Sequence, residues 1–390
     1  MAEFDKRVFE YIEKNISEYF AMSNAIFDRP ETALNEYFAC DLLSEWLERN
    51  GYLVSRNEGG LETAFKATYR QGASGPRIGL LCEYDALPMG HGCAHHMQGP
   101  IMFLASEAVK SVMSGIPYEL VIYGTPGEEG AHCKKTMLEN GCFQDIDVAL
   151  MVHGSPNATI DIKSLAGVRL EFEFQGIAAH DSLTPELVRS GMDAMLLGFT
   201  GLEFLRGHVK DDVRLNYKVD DCPGTPECSD LSYARCSVYL RTYHDEDLPE
   251  LEDRMISVMQ GAAMMSGVNI KHKRILKVVG KVPNMTLNKV FMDIAREINA
   301  PQLLEFREKT GSTDFAWVTR IVPGAVFRYP FVPLGSTSHS QVFLDYGKST
   351  QAKEGIVIAS KVIAASVIKM IEDPSIIKDA ENELKKYTGK

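Results

Sequence analysis

The spacing of apolar residues predicts alternating helices and strands along the first part of the chain. Ile12, Ile16 and Phe20 recur at helical spacing within residues 5–27, and ALNEYFACDLLSEWLERNG predicts a second helix that ends at Gly51. The segments TAFKATY and RIGLLCEYD are predicted strands, separated by the turn RQGASGP. These two helices and two strands open a mixed domain.

The same alternation continues to residue 154. A helix is predicted in QGPIMFLASEAVKSVMSG, a strand in YELVIYGTP, a short helix in CKKTMLENG and another strand in DVALMVHG. Strands that alternate with helices in this way are typical of an α/β domain with a largely parallel sheet.

The pattern changes near residue 164. GVRLEFEFQG and ARCSVYLRTY alternate cleanly and are each followed by a long predicted helix, which indicates an inserted α+β domain. We therefore divide the chain into 1–164, 165–277 and 278–390, the first and last forming one α/β domain. The α/β pattern resumes at TLNKVFMDIAREI and closes with the helix EGIVIASKVIAASVIKMIED, and the final AENELKKYTGK is expected to be a solvated tail.

Length and charge narrow the possible functions. A chain of 390 residues suggests two domains, or one large domain with an insertion. The formal net charge of −12 argues against a nucleic-acid surface. No stretch reaches the roughly 18–20 apolar residues of a membrane helix, and MAEFDKRVFEYIEKN lacks the apolar core of a signal peptide. We expect a cytoplasmic protein that binds neither nucleic acid nor membrane, with its eight cysteines present as thiols.

Side chains that can bind metal cluster in CEYDALPMGHGCAHHMQGP, residues 82–100, which holds Glu83, Asp85, His91, Cys93, His95 and His96. The other candidates are Glu128 and Glu129 after YELVIYGTP, His153 at the end of DVALMVHG, and His339 in the polar loop GSTSHSQ. Each of the last four would more often be structural when considered alone. Three of these groups follow predicted parallel strands, however, and open α/β sheets bind ligands beyond the carboxyl ends of their strands. The arrangement predicts a metal centre.

The chain resembles the M20 family of metal-dependent amidohydrolases and peptidases, in its aminoacylase and amidohydrolase branch, which includes aminobenzoyl-glutamate hydrolases. The resemblance covers nearly the whole length. CEYDALP resembles the branch's acidic motif, GHGCAHH its metal motif, GTPGEEG its glutamate pair and MVHGSP its following ligand histidine. FQGIAAHDSLTPE is similar to the lid histidine motif, and GSTDF and TSHS to the two late motifs. The family implies a dinuclear-metal, exopeptidase-like α/β catalytic domain with an inserted α+β lid and dimerisation domain.

The resemblance also implies a ligand set for two divalent metal ions. Its members are Cys93, His95, Glu129, His153 and His339. Thiolate and imidazole suit zinc, manganese or a similar ion, and a carboxylate offsets the charge of two close cations. Which ion each ligand binds, and whether Cys93 bridges the two, stays open. Asp85 is implied to orient a ligand, and Glu83 to support the site, although its counterpart elsewhere in the family can be a ligand.

Glu128 is implied to be the general base, which takes a proton from the attacking water and returns it to the departing amine. His180, from the inserted domain, resembles a lid histidine that stabilises the oxyanion and reaches the other subunit's active site in dimeric relatives. We therefore expect a homodimer through the inserted domain, with VRLEFEFQ as a candidate edge strand.

Two departures from the family pattern leave alternatives open. His96 stands where the metal motif has Asp or Asn. It either replaces that acid as a hydrogen-bond partner or contacts metal or substrate itself. His91 is expected to pack in the core or to support a metal ligand. The segment CPGTPECSDLSY lacks the usual Asn-x-x-Pro turn of the lid, which favours a substrate without the usual α-carboxylate, or an aromatic amide or amine.

The sequence therefore predicts a metal-dependent hydrolase of a small amide, such as an N-acyl or aminoacyl amide or a dipeptide-like conjugate. The alternatives are a hydrolytic deaminase of an aromatic amine on the same fold, a catalytically inactive homologue that binds metal or a small molecule, and a metal-free interaction protein. Glu128 argues against a pure binding protein, because such a protein has no need of a base beside the metal.

Overall fold

A computed structural model describes residues 3–180, 182–223 and 231–389, and the side chains from residue 6 onward. Its strands are β1 (Leu53–Arg56), β2 (Phe65–Gln71), β3 (Arg77–Cys82), β4 (Tyr118–Gly124), β5 (Val148–Ser155), β6 (Thr159–Ile160), β7 (Ala166–Gln175), β8 (Arg214–Asp221), β9 (Tyr233–Thr242), β10 (Asn269–Val278) and β11 (Gly324–Pro330). Its helices are α1 (Glu3–Phe27), α2 (Tyr37–Arg49), α3 (Gln98–Val112), α4 (Cys133–Glu139), α5 (Gly191–Arg206), α6 (Leu248–Ser266), α7 (Met285–Glu297), α8 (Phe315–Val318), α9 (Gln341–Tyr346), α10 (Thr350–Glu372) and α11 (Ser375–Thr388).

The chain divides into two compact units. The first joins Met1–Lys163 to Lys281–Lys390, and the second is Ser164–Gly280. No helix within the described ranges is long and apolar enough to cross a membrane.

The first unit contains a seven-stranded sheet in the order β1-β2-β4-β3-β5-β11-β6. The four central strands, β4, β3, β5 and β11, run parallel, whereas β1, β2 and β6 pair antiparallel at the two sides. This confirms the α/β class. The parallel centre matters for the site, because it brings the carboxyl ends of β4, β3 and β5 to one edge of the sheet.

Both faces of this sheet are buried. Leu80 belongs to a core that includes helices α1, α3 and α10, while its neighbour Leu81 faces a second core with α4 and α8. Successive strand residues point to opposite faces, so a strand covered on both sides is apolar at nearly every position. That is why RIGLLC forms a continuous apolar run.

The end of the chain corrects one expectation. AENELKKYT forms the second half of α11, whose Ile377, Ala380 and Leu384 are buried, and α11 packs against α7 and α10. These three residues recur at spacings of three and four and form one helical face. The lysines that suggested a solvated tail, Lys385 and Lys386, are exposed, whereas Glu383 accepts hydrogen bonds from the N–H groups of Met285 and Thr286 at the start of α7.

The second unit has a four-stranded antiparallel sheet in the order β10-β7-β9-β8, with α5 and α6 packed on it. Val168, Leu170, Phe172 and Phe174 alternate along β7 and enter a core of their own with both helices. The prediction that VRLEFEFQ is an edge strand is therefore wrong, because β7 pairs with β10 on one side and with β9 on the other. The edges are β8 and β10, neither of which was predicted.

Candidate metal centre

Three neighbouring strands of the seven-stranded sheet position most of the candidate residues at one edge of that sheet. Glu83 follows β3 directly, Glu128 and Glu129 follow β4 after a short turn, and His153 lies within β5 two residues before its end. Because β3 pairs in parallel with both β4 and β5, these positions share one edge of the sheet. His339 comes from a loop after β11, and its backbone N–H donates a hydrogen bond to the Gly92 carbonyl at 2.9 Å.

The backbone around two candidate ligands is unusual. Ala94, between Cys93 and His95, has φ 67°, and His339 has φ 62°. Left-handed backbone is uncommon for residues other than glycine and often marks functional sites when the surrounding structure holds it in place. Here the turn at Ala94 lies near the end of the long loop that follows β3, and helix α3 begins four residues later at Gln98.

Five candidate ligands form two overlapping groups. One ligand atom from each of Cys93, His95 and His153 lies within 4.8 Å of the others, and the same holds for Cys93, Glu129 and His339. The Cys93 Sγ lies 3.5 Å from His153 Nε2, and His339 Nε2 lies 3.1 Å from a Glu129 oxygen. Because Cys93 belongs to both groups, the five residues could together hold two ions.

The two histidines nearest Cys93 present the correct nitrogen for metal binding. His95 Nδ1–H donates to Asp85 at 2.9 Å, and His153 Nδ1–H donates to the Gly154 carbonyl at 3.0 Å. In the neutral form of each ring Nε2 carries no proton and can act as a ligand, as outer hydrogen bonds commonly arrange at metal sites. His95 Nε2 is buried without a hydrogen bond of acceptable geometry, although a Glu83 oxygen lies 3.2 Å away. The residues fit a metal ion.

Comparison with known proteins finds relatives of low identity that cover nearly the whole chain. No protein-family model matches the chain. It is 26% identical over 464 aligned positions to one of the subunits of the p-aminobenzoyl-glutamate hydrolase of Escherichia coli, covering 100% of this chain and 96% of that protein. It is 27% identical to the human Xaa-Arg dipeptidase, over 96% of this chain and 91% of the relative. A Bacillus subtilis structure described as a dinuclear metal binding peptidase from the M20 family matches its fold with TM-score 0.71 and 17% identity, over 92% and 98% of the two chains.

The chain is similar to hydrolases of the M20 family. The resemblance inferred from the motifs is thus confirmed, as is the prediction that the protein is a hydrolase with this two-domain fold. In this chain the motifs at the ends of β3, β4 and β5 meet at one sheet edge.

Burial and charge set the ionisation of this candidate centre. Burial raises the pKa of the Cys93 thiol to about 12. A thiol in this position becomes a thiolate readily only when cations are bound, which couples metal binding to proton release. Burial would also raise the pKa of Glu129, but its hydrogen bond with His339 and the charge of His95 lower it to about 2.

Glu128 lies beside the ligands but in a different setting. Its carboxylate forms a group with His95 and Glu129, and another with Glu83 and Asp314, each within 4.8 Å. Burial, together with the negative charges of Glu83 and Asp314, raises the pKa of Glu128 well above its usual range. A carboxylate whose environment favours the protonated form is suited to accept a proton.

His91 and His96 point to other parts of the unit. His91 Nε2–H donates to the Ile26 carbonyl at 3.1 Å, and His96 Nε2–H donates to the Gly347 carbonyl at 3.0 Å. Both rings pack against Phe27. Neither belongs to a metal-capable group within the described ranges. They tie the metal loop to α1 and to the turn before α10.

His180 belongs to the second unit. It is exposed in a loop after β7, and its carbonyl accepts hydrogen bonds from the N–H groups of Leu183 and Thr184. Most of CPGTPECSDLSY, the segment expected to lack the lid turn, lies outside the described residues.

Sequence reasoning missed three residues of the site. Gln98 Nε2–H donates to Glu83 at 2.8 Å, and the Lys134 ammonium lies 2.6 Å from both Glu83 and Asp314. Asp314 stands within the motif GSTDF, so a signal existed for it, although the motif alone assigns it no role. Lys134 is one of two adjacent lysines in CKKTMLENG, and only its burial distinguishes it from Lys135.

Proposed function

We propose that the protein hydrolyses a small amide at this centre, with Glu128 as general base. The observation that supports the proposal most directly is the position of the Glu128 carboxylate beside His95 and Glu129 but outside the Cys93 groups. The two curated relatives are, by name, hydrolases of an aminobenzoyl-glutamate and of dipeptides. Amide cleavage is therefore the reaction that this chain's side chains and its relatives have in common.

Two divalent cations, zinc or manganese, are the proposed cofactor. Cys93, His95 and His153 would hold one ion, and Cys93, Glu129 and His339 the other. When bound, the cations would lower the pKa of the attacking water and polarise the amide carbonyl. Asp85 supports both groups, because its Oδ1 accepts from His95 and its Oδ2 accepts from the Glu129 N–H at 2.8 Å.

Glu128 carries the proton in the proposed reaction. Its carboxylate takes a proton from the attacking water and then gives it to the amine nitrogen as the C–N bond breaks. Glu128 reaches this position because Gly127, just before it, has φ 62°, and the Gly127 N–H donates to the buried Glu36 at 2.8 Å. Glu36, the residue that precedes α2, thus holds Glu128 and the turn before it in place.

His180 is proposed to stabilise the negative charge on the carbonyl oxygen in the transition state. Its exposed loop position in the second unit is compatible with a residue that joins a site only in a dimer or on substrate binding. We propose a homodimer through the second unit, although β7 cannot supply the pairing edge; β8 and β10 are the available edges. The Escherichia coli relative is itself named as a subunit, so mass measurement should allow for assembly with a different chain.

The substrate is proposed to be an N-acyl or aminoacyl amide, including dipeptide-like conjugates. The purified protein, loaded with zinc or manganese, should be assayed against N-acyl amino acids, dipeptides, aminobenzoyl-glutamate and aromatic amines. Release of an amine with a free carboxylate supports the proposal. Release of ammonia from an aromatic amine would instead support the deaminase alternative, and no turnover by a fully metal-loaded protein would support the inactive homologue. The cytoplasmic location stays a prediction from the sequence.

A further inference from the structure

A lysine is buried among the acids behind the candidate metal ligands. Lys134, at the start of α4, has a side chain with 0% exposure. Its ammonium lies 2.6 Å from Glu83 Oε1 and 2.6 Å from Asp314 Oδ1. Its backbone N–H also donates to the other Asp314 oxygen at 3.0 Å. Asp314 thus binds both the backbone and the side chain of this residue.

A third carboxylate completes the group. Oxygens of Glu83, Glu128 and Asp314, here called the acid triad, lie within 4.8 Å of one another. Three carboxylates at this distance repel each other strongly in a dry interior unless a cation lies among them. The Lys134 ammonium contacts two of the three and carries the neutralising charge. The ammonium therefore lies beside a group of carboxylates that could hold a metal ion.

The acid triad is in direct contact with the candidate metal ligands. Glu83 is held on its other side by Gln98, whose Nε2–H donates to Oε2 and whose Oε1 accepts from the Glu83 N–H. The same Oε2 lies 3.2 Å from His95 Nε2. Lys134 therefore joins the end of β3, the start of α4 and the residue before α8, and Glu128 belongs both to this triad and to a group with His95 and Glu129.

We propose that Lys134 is a positioning residue, whose ammonium serves as an internal cation of the acid triad and so places Glu128 for proton transfer. This inference rests on the proposed role of Glu128. It has a consequence independent of activity: the ammonium keeps divalent ions out of the acid triad. Without it, three carboxylates would form an all-oxygen site of the kind that manganese accepts.

The test compares Lys134→Met with Lys135→Met. Lys135 is the next residue of α4, with a side chain 43% exposed and an exposed pair with Glu139, so it controls for loss of a lysine from this helix. Each folded protein is measured for bound manganese by equilibrium dialysis and for kcat and KM. For Lys134→Met we expect one more manganese ion per chain than in the parent and kcat lower by about 10²-fold with KM within about threefold, as expected for a misplaced general base. Lys135→Met should match the parent in all three values.

Asp314→Asn provides a second test in case Lys134→Met does not fold. It removes one contact of the ammonium but keeps the lysine, so manganese stoichiometry should equal the parent's while kcat falls by about tenfold at unchanged KM. The proposal is overturned if folded Lys134→Met keeps the parent's manganese count, or if kcat in either variant stays within about threefold of the parent. If the parent itself cleaves no amide, the proposed function fails, and the manganese count alone then decides the role of Lys134.

Discussion

Asp85 and His95 are joined by a fully buried hydrogen bond of 2.9 Å between Oδ1 and Nδ1. The bond fixes the ring so that its other nitrogen faces Cys93 and His153. The second Asp85 oxygen accepts from the backbone N–H of Glu129, so a single carboxylate orients one candidate ligand from each group.

Replacing this carboxylate should weaken metal binding. Asp85→Asn keeps the shape but offers one acceptor oxygen instead of two, so either His95 or Glu129 loses its partner. We expect metal affinity to fall about 10- to 100-fold, as is typical when outer-shell partners of a metal site are lost. Titration with a competing chelator measures the change. Asp41→Asn, at an exposed pair with Arg56, is the control and should bind metal like the parent; equal affinity in both variants would remove Asp85 from the site.

Cys93→Ala should lower both metal occupancy and turnover, because Cys93 belongs to both ligand groups. We expect the parent to hold close to two divalent ions per chain and the variant clearly fewer. Elemental analysis of the dialysed proteins gives the count. Cys40→Ala, another buried thiol, controls for the loss of a cysteine from the core. Undiminished metal in Cys93→Ala would exclude Cys93 as a ligand.

Substitutions of Glu128 and of Glu129 should impair the protein in different ways. Glu129→Gln loses a charged ligand, so metal binding should weaken and added metal should restore part of the activity. Glu128→Gln keeps both ions but cannot accept a proton, so kcat should fall by about 10²- to 10⁴-fold and resist added metal. Metal content and steady-state rates separate the two. The assignment of the base is wrong if Glu128→Gln has full metal content and turns over within a few-fold of the parent.

The stability of the metal-free protein should depend on Glu36. Burial raises the pKa of this carboxyl from 4.5 to about 7, with the nearby Asp85 adding to the effect. The folded state therefore binds the proton more tightly than the unfolded state, and this stabilisation is complete below pH 4.5 and lost as pH rises through 7. One pKa unit corresponds to about 1.4 kcal/mol. The free energy of unfolding of the parent, minus that of Glu36→Gln, should fall by a few kcal/mol between about pH 5 and pH 8.

Urea unfolding at several pH values measures this difference. Glu36→Gln can still accept from the Gly127 N–H, so the loop before Glu128 should keep its anchor. A parent–variant difference that stays constant across this pH range would show that Glu36 does not titrate there.

The proposed role of His180 can be tested by mixing two inactive proteins. If His180 acts in the partner's site, mixed dimers of His180→Ala and Glu128→Gln contain one site with both residues intact. Once subunits exchange, about half of the parent's activity should return per mixed dimer, because one of its two sites is intact, which is about a quarter across a fully exchanged equimolar mixture. Native mass spectrometry follows the exchange. Demonstrated mixed dimers without recovered activity would place His180 in its own chain's site or outside catalysis.

The inserted unit shows which features of a strand the local sequence pattern predicts and which it does not. The alternation of VRLEFEFQ predicts a strand with one buried face, and β7 has one. Its neighbours could not be predicted, because alternation describes the two faces of a strand and contains nothing about its edges. The charged strand NIKHKRILKV pairs with β7 along its full length and makes it interior. Similarly, the three buried residues of α11 are too few to dominate its composition, so its sequence suggests a solvated tail.

The family resemblance, the α/β class and the motifs at the strand ends could all be inferred before any coordinates, because residue order and apolar periodicity are local properties. The sequence could not show which of two adjacent lysines is buried. Lys134 and Lys135 have the same side chain and the same local propensity, and only three-dimensional packing distinguishes them. The same packing determines that His91 and His96 bond to the carbonyls of Ile26 and Gly347 and stay outside the metal groups. These outcomes depend on elements up to 251 residues apart in the chain, whose contacts arise only when the packed sheet and helices bring them together.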